Sequence, residues 1–316
     1  MTYSPSPGAP QARIPGPQKP PPTYPQIRAG LWRHCLWGGL TLWALTTVVT
    51  YATRNTTLLP TLILLGSFVV PVTFVLWAYE RHGRDLGVSV ILGCFLTGGT
   101  LGVLGASAME SYLLRPSLWM FVGVGLVEEA VKLGALMFVL RRQPRLRGMR
   151  AGLVLGATVG FGFAALESSG YAFNAAVTTE GIDLRALLET EMLRGVLAPF
   201  GHGLWTAIVG GVLLSRRDVN GRFRFTGAVV GTYAGVSLLH ALWDSTHGIA
   251  LWLVARLDST RLHTELFAQG HLADPTDQQR HLFTLVSVGL LVFVSLIGVT
   301  WVRSLASRDP SWRNTP

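Results

Sequence analysis

Charge is scarce in this chain. Only 14% of its 316 residues are Asp, Glu, Lys or Arg, against 49% hydrophobic, and the mean hydropathy is +0.41. A soluble domain of that composition would need an implausibly apolar surface, so the sequence reads as a multi-pass membrane protein. Cysteine is nearly missing. Cys35 and Cys94 both fall in apolar runs, which excludes a disulfide framework and a structural zinc site built on thiolates. Residues 1–30 lack large apolar side chains but hold nine of the 17 prolines. They are expected to form a disordered, partly polyproline tail. They also lack the apolar core of a cleavable signal peptide, so the first apolar run is expected to stay in the membrane.

What is abundant is long apolar sequence. Runs of about 20 residues are the signature of spanning helices, and eight are expected, near 31–51, 58–79, 86–106, 117–140, 151–172, 193–214, 225–247 and 283–303. The fold class is therefore an all-α polytopic bundle over 31–303, with a short tail at 304–316. In the third run, Gly98, Gly99, Gly102 and Gly105 allow close packing against a neighbour. The longest outer loops are 173–192 and 248–282, and nothing in their sequence decides whether either gates access; "GIALWLVARL" (248–257) reads as an interfacial or re-entrant piece.

The net charge of +9 does not point to nucleic acid, because its placement follows topology. Counting alternate loops, the side holding both termini carries 18 of the 26 basic residues, including Arg141, Arg142, Arg145, Arg147 and Arg150 in a single loop. The other side has scattered arginines, Arg194 among them, mixed with most of the loop acids. The positive-inside rule places both termini in the cytoplasm of a cell-membrane protein.

Against this background the fourth run stands out. "GLVEEAVKLGAL" puts Glu128, Glu129 and Lys132 into apolar sequence, at roughly 3 kcal/mol for each mid-helix charge. At about 100° per residue, Lys132 lies about 40° from Glu128 and about 60° from Glu129, within reach of both. Taken alone, this is an ion pair that locks helix packing or one that holds one Glu while the other faces a cavity.

Three further helices add to it. The fifth carries Glu167, with Phe163, Tyr171 and Asn174 on the same face. The sixth carries His202, expected about two and a half turns into the helix, and the seventh carries Tyr233, His240, Asp244 and His247. With alternating directions and about 1.5 Å per residue, Glu128, Glu167, His202 and His240 fall about 8–16 Å below the outer surface, with Asp244 shallower. Four polar faces at overlapping depth describe one cavity, and intramembrane ionisable groups are functional candidates. Glu128, Glu129, Glu167 and Asp244 against Lys132 leave about three excess negative charges, so carboxylates must hold protons or a cation must bind. Glu128 with His202 and His240 is a set zinc accepts, with a fourth position left for water. A metal-free site in which Glu activates water is equally open. So are a proton- or cation-coupled transporter and a non-catalytic scaffold of the same fold, although no ladder of ionisable groups crosses the membrane.

The four motifs, in order, are Glu128-Glu129-x-x-Lys132, Phe163-x-x-x-Glu167, His202 in "FGHGLW", and His240-x-x-x-Asp244. Together they resemble the PrsW family of intramembrane proteases, distantly related to CAAX prenyl endopeptidases and bacteriocin-processing membrane enzymes. The resemblance covers roughly 117–247; the first three helices, the eighth and the tail carry no part of it. It implies hydrolysis, near the outer face, of a membrane-anchored protein such as an anti-sigma factor. By the same resemblance Glu128 is the general base, His202 and His240 are metal ligands or oxyanion stabilisers, Glu129 and Lys132 brace the helix, and Asp244 orients His240 or polarises the carbonyl. Glu167 is a catalytic carboxylate or a structural partner. The motifs of other intramembrane proteases, HExxH, GxGD and a GxSG with a partnered His, do not occur.

Overall fold

Helices account for nearly all of the computed structural model, which describes residues 29–117, 119–257 and 275–313. Most of the expected proline-rich tail and 258–274 of the second long outer loop lie outside these residues. Six stretches are long and apolar enough to cross a membrane by length and composition: Leu31–Thr53, Thr56–Gly83, Val88–Leu113, Met149–Ala176, Leu184–Ser215 and Asp277–Ser307. Two more helices, Met120–Leu140 and Gly227–Asp244, fall outside that set. The first holds three charged residues, Glu128, Glu129 and Lys132, and the second holds His240 and Asp244.

In chain order, α1 is Leu31–Thr53, α2 Leu59–Ala78, α3 Val88–Thr97 and α4 Val103–Leu113. α5 is Met120–Leu140, α6 Met149–Ala176, α7 Leu184–Leu197 and α8 His202–Ser215; α9 is Gly227–Asp244, α10 Thr246–Leu257, α11 Asp277–Ser307 and α12 Pro310–Arg313. α3 and α4 are one continuous rod joined by a π-turn at Gly98–Gly102. α1 and α11 are peripheral and present mostly exposed apolar side chains, as lipid-facing helices do, whereas α6 runs through the centre.

Small residues place α6 there. Gly152, Gly156 and Gly160 recur every four residues, so they share one stripe. A Cβ on any of them would collide with the backbone of α8 at Gly210, Thr206 and His202 respectively. On another face, a Cβ at Gly98 would strike the backbone of Val159, and one at Gly99 would lie 2.8 Å from the Gly162 carbonyl oxygen. Without side chains between them the backbones approach closely, which is how helices gain packing energy where lipid supplies no hydrophobic drive. The expected role of Gly98 and Gly99 is thus seen in the contacts of the third rod.

The sixth apolar run differs from expectation. It is not one helix from 193 to 214 but two, α7 and α8, separated by a 3-10 turn at Ala198–Phe200 and by Gly201, whose backbone is non-helical. Pro199 has no N–H to continue a helical ladder. His202 is therefore the first residue of α8, not a residue two and a half turns inside a helix. The stretch 173–192 is also more ordered than a loop: α6 runs on to Ala176, a two-residue hairpin follows, and Asp183 caps α7 by accepting from the Ala186 N–H at 2.9 Å. The piece 248–257 belongs to α10, a separate helix that starts after a break at Ser245.

Candidate active site

α5 turns Glu128, Glu129 and Lys132 inward, and all three are buried, at 5%, 0% and 0% exposure. The lysine ammonium has three protons and three acceptors. It donates to Glu128 Oε2 at 3.0 Å, to Glu129 Oε1 at 2.8 Å and to Nδ1 of His202 at 2.8 Å. It also stands 4.2 Å from the centre of the Phe163 ring, whose π-face attracts cations. A buried ammonium with every proton placed is the arrangement that offsets the cost of desolvating it.

The histidines follow from these bonds. Lys132 makes Nδ1 of His202 an acceptor, so its Nε2–H donates, and Glu167 Oε2 lies 3.0 Å away to receive it. His240, 1% exposed, directs Nδ1 at Glu129 Oε1 across 3.0 Å. Its Nε2 then faces Glu128 Oε2 at 3.6 Å and Asp244 Oδ2 at 3.4 Å. The two imidazoles meet edge to face at 5.0 Å, with Phe163 packed 5.1 Å from His202. Close backbone approach brings them together. A Cβ at Gly160 would collide with the His202 carbonyl, and one at Gly125 with that of Ser237 on α9.

A cavity of about 520 Å³ opens beside this cluster, between α4, α5, α6 and the end of α9. Glu128, Phe163, Glu167 and Asp244 line it, with Tyr171 and Asn174 on the α6 wall. Glu129, Lys132 and His240 sit behind that lining. Tyr233 is structural, donating its hydroxyl to the Leu126 carbonyl at 2.7 Å, and His247 packs 5.1 Å from Phe283.

The donor set suits a divalent metal. Glu128, His202 and His240 each offer an atom within 4.8 Å of the others, and the Glu128 oxygen stands 3.6 Å from a nitrogen of each histidine. Tetrahedral zinc with N and O ligands needs ligand atoms about 3.4 Å apart. Nε2 of His240, Glu128 Oε2 and Asp244 Oδ2 converge as acceptors, a grouping that a cation or a shared proton makes favourable. Glu129 behind His240 is the carboxylate partner that metal-binding histidines commonly have. Lys132 already donates to two of the three donors, Glu128 Oε2 and Nδ1 of His202.

A model of the PrsW family intramembrane metalloproteases matches residues 85–267, more than half of the chain. The chain belongs to the PrsW family. Searches of curated proteins and of solved structures found no match. The PrsW match is wider than the 117–247 expected from the motifs, since it begins at Asp85 and takes in the whole third rod. α4 of that rod supplies one wall of the cavity. A PrsW chain is a membrane-embedded protease at the family level, which agrees with buried Glu and His side chains gathered beside a cavity.

Two residues at the PrsW site escaped the sequence reading. Arg194, assigned there to an outer loop, lies on α7 and is ion-paired to Glu167. Glu110 on α4 lines the cavity and has a buried oxygen without a hydrogen-bond partner. In sequence Glu110 lies beyond the third apolar run, which ends near 106, and belongs to none of the four motifs. Arg194 had one faint signal, its place in the run leading to "APFGHG".

Proposed function

We propose that this chain is an endopeptidase that cleaves single-pass membrane proteins near the outer face of the cell membrane, with Glu128 activating the attacking water. An anti-sigma factor is the substrate type suggested by the family resemblance. In this reading α5 and α9 join the six apolar stretches as spans, giving eight crossings with both termini cytoplasmic.

One observation carries it: Glu128 belongs to two environments at once. Its carboxylate lines the cavity, and one of its oxygens is tied to Lys132 in the buried cluster. A base needs access to water and a fixed direction, and this residue has both.

The chemistry then follows from the neighbours. Glu128 takes a proton from water as the oxygen attacks the scissile carbonyl, and it returns that proton to the leaving amine. Negative charge on the tetrahedral oxygen is met by His240 when its Nε2 also carries a proton, with Glu129 holding the ring from behind, while Glu167 and Lys132 fix His202 beside it. Asp244 orients His240. Zinc held by Glu128, His202 and His240 would polarise the carbonyl and lower the pKa of the water.

Co-reconstitution of the purified protein with single-pass membrane proteins in vesicles tests this against a transporter. Fragments that appear with the native protein and not with His240→Ala support proteolysis. Proton or cation flux that His240→Ala removes, without fragments, would replace it.

A further inference from the structure

An arginine inside an apolar helix costs roughly 3 kcal/mol by the insertion scale unless something compensates. Arg194 lies in "MLRGVLAPFGHG", eight residues before His202, within the stretch Leu184–Ser215. Its interactions all land on one turn and a half of α6. Nη2 pairs with Glu167 Oε2, Nε donates to Ser168 Oγ at 2.8 Å, and the guanidinium stacks 4.3 Å from the centre of the Tyr171 ring.

The oxygen it grips decides the role. Glu167 Oε2 is also the atom that faces Nε2 of His202 at 3.0 Å. A guanidinium is a planar fork, and one fixed by three contacts also fixes the carboxylate it holds. Glu167 in turn sets the rotation of the His202 ring, whose Nδ1 meets Lys132.

A tether between α7 and α6 would not need this arrangement. α7 is held elsewhere by the Asp183 cap, by fully buried Leu187 and by Glu191, whose carboxylate accepts from Trp43 Nε1 at 2.7 Å. Arg194 adds a bond to the one oxygen that orients a histidine of the site.

We propose that Arg194 is a positioning residue for proteolysis, acting through Glu167 on the ring of His202. The proposal rests on the protease reading and goes beyond the four family motifs.

The test uses the full-length protein and a substrate whose cleavage requires Glu128. If the native protein cuts nothing, the protease reading fails before Arg194 is reached. Given cleavage, Arg194→Ala is expected to lower kcat roughly 10–100-fold with little change in KM, the usual cost of losing such a supporting partner. Glu167→Gln should fall by a similar factor, and the double variant should be no worse than the more damaged single. Arg194→Lys, which keeps the charge and reach but not the fork, should recover part of the loss and also serves if the alanine variant does not accumulate. Arg194→Ala or Arg194→Lys with native kcat, a loss confined to KM, or losses at Arg194 and Glu167 that multiply would each overturn the proposal.

Discussion

The Lys132 ammonium lies 2.8 Å from Nδ1 of His202, on a different helix. This contact links the two-carboxylate motif of α5 to the first residue of α8, and it assigns the proton of His202 to the opposite nitrogen. Lysine is thus more than a local counter-ion. It is the point where three of the site's side chains converge.

Removing Lys132 should be costly for that reason. Lys132→Ala leaves Glu128 and Glu129 buried without their cation, and breaking a buried pair typically costs about 3–5 kcal/mol. Lys132→Ala and Glu129→Gln are both expected to reduce the amount of folded protein as well as activity. Detergent-solubilised yield and thermal unfolding measure this. Native accumulation of both variants would contradict the bracing role.

Metal content follows from the donor set. Purified native protein is expected to retain about one zinc per chain, with His202→Ala and His240→Ala losing most of it. Elemental analysis of each purified protein gives the answer. Full activity in a zinc-free native protein would assign the chemistry to Glu128 and the histidines alone.

Helix packing can be tested at a pair of glycines. A Cβ at Gly156 would run into the Thr206 carbonyl, so Gly156→Val should push α8 away and cost about 1–3 kcal/mol, with activity lost as His202 moves. Gly134 on α5 has open space around it, and Gly134→Ala should be neutral or slightly stabilising. Equal thermal stabilities for the two variants would rule out the close α6–α8 contact.

A further test lies at the turn between α2 and α3. Arg150 donates to both carboxylate oxygens of Asp85, at 2.8 and 2.5 Å, and this holds the Asp85 carboxyl below its ordinary value. A depressed carboxylate stabilises the fold above its unfolded pKa of about 3.9, and that stability is lost as pH falls through the folded value. Asp85 is largely exposed, so the contribution is about 0.5 kcal/mol. Asp85→Asn should unfold at slightly lower temperature than native protein at pH 6, and the two should converge as the pH falls through the folded value. A constant difference across that range would show that the ion pair is not the cause.

Much of this site could be read from the chain because charge inside apolar sequence is expensive. Glu128, Glu129 and Lys132 announce themselves for that reason, and helical spacing alone put the lysine between the carboxylates. His240 and Asp244 share a face by the same arithmetic. What could not be read depended on tertiary contact or on a break in a helix. Hydropathy runs smoothly from 193 to 214, which hid the interruption at Pro199 and Gly201 that makes His202 a helix-start residue. Arg194 resembled a loop charge because its partner, Glu167, lies on another helix, and Glu110 became part of the cavity only once α4 packed beside α5.

The most direct measurement labels new protein N-termini in membranes from cells expressing the native chain and the Glu128→Gln variant at equal levels. New termini at the outer edge of single-pass proteins, present with the native chain and absent with the variant, are expected if Glu128 activates the hydrolytic water. The same termini in both samples, with both proteins folded, would contradict that claim.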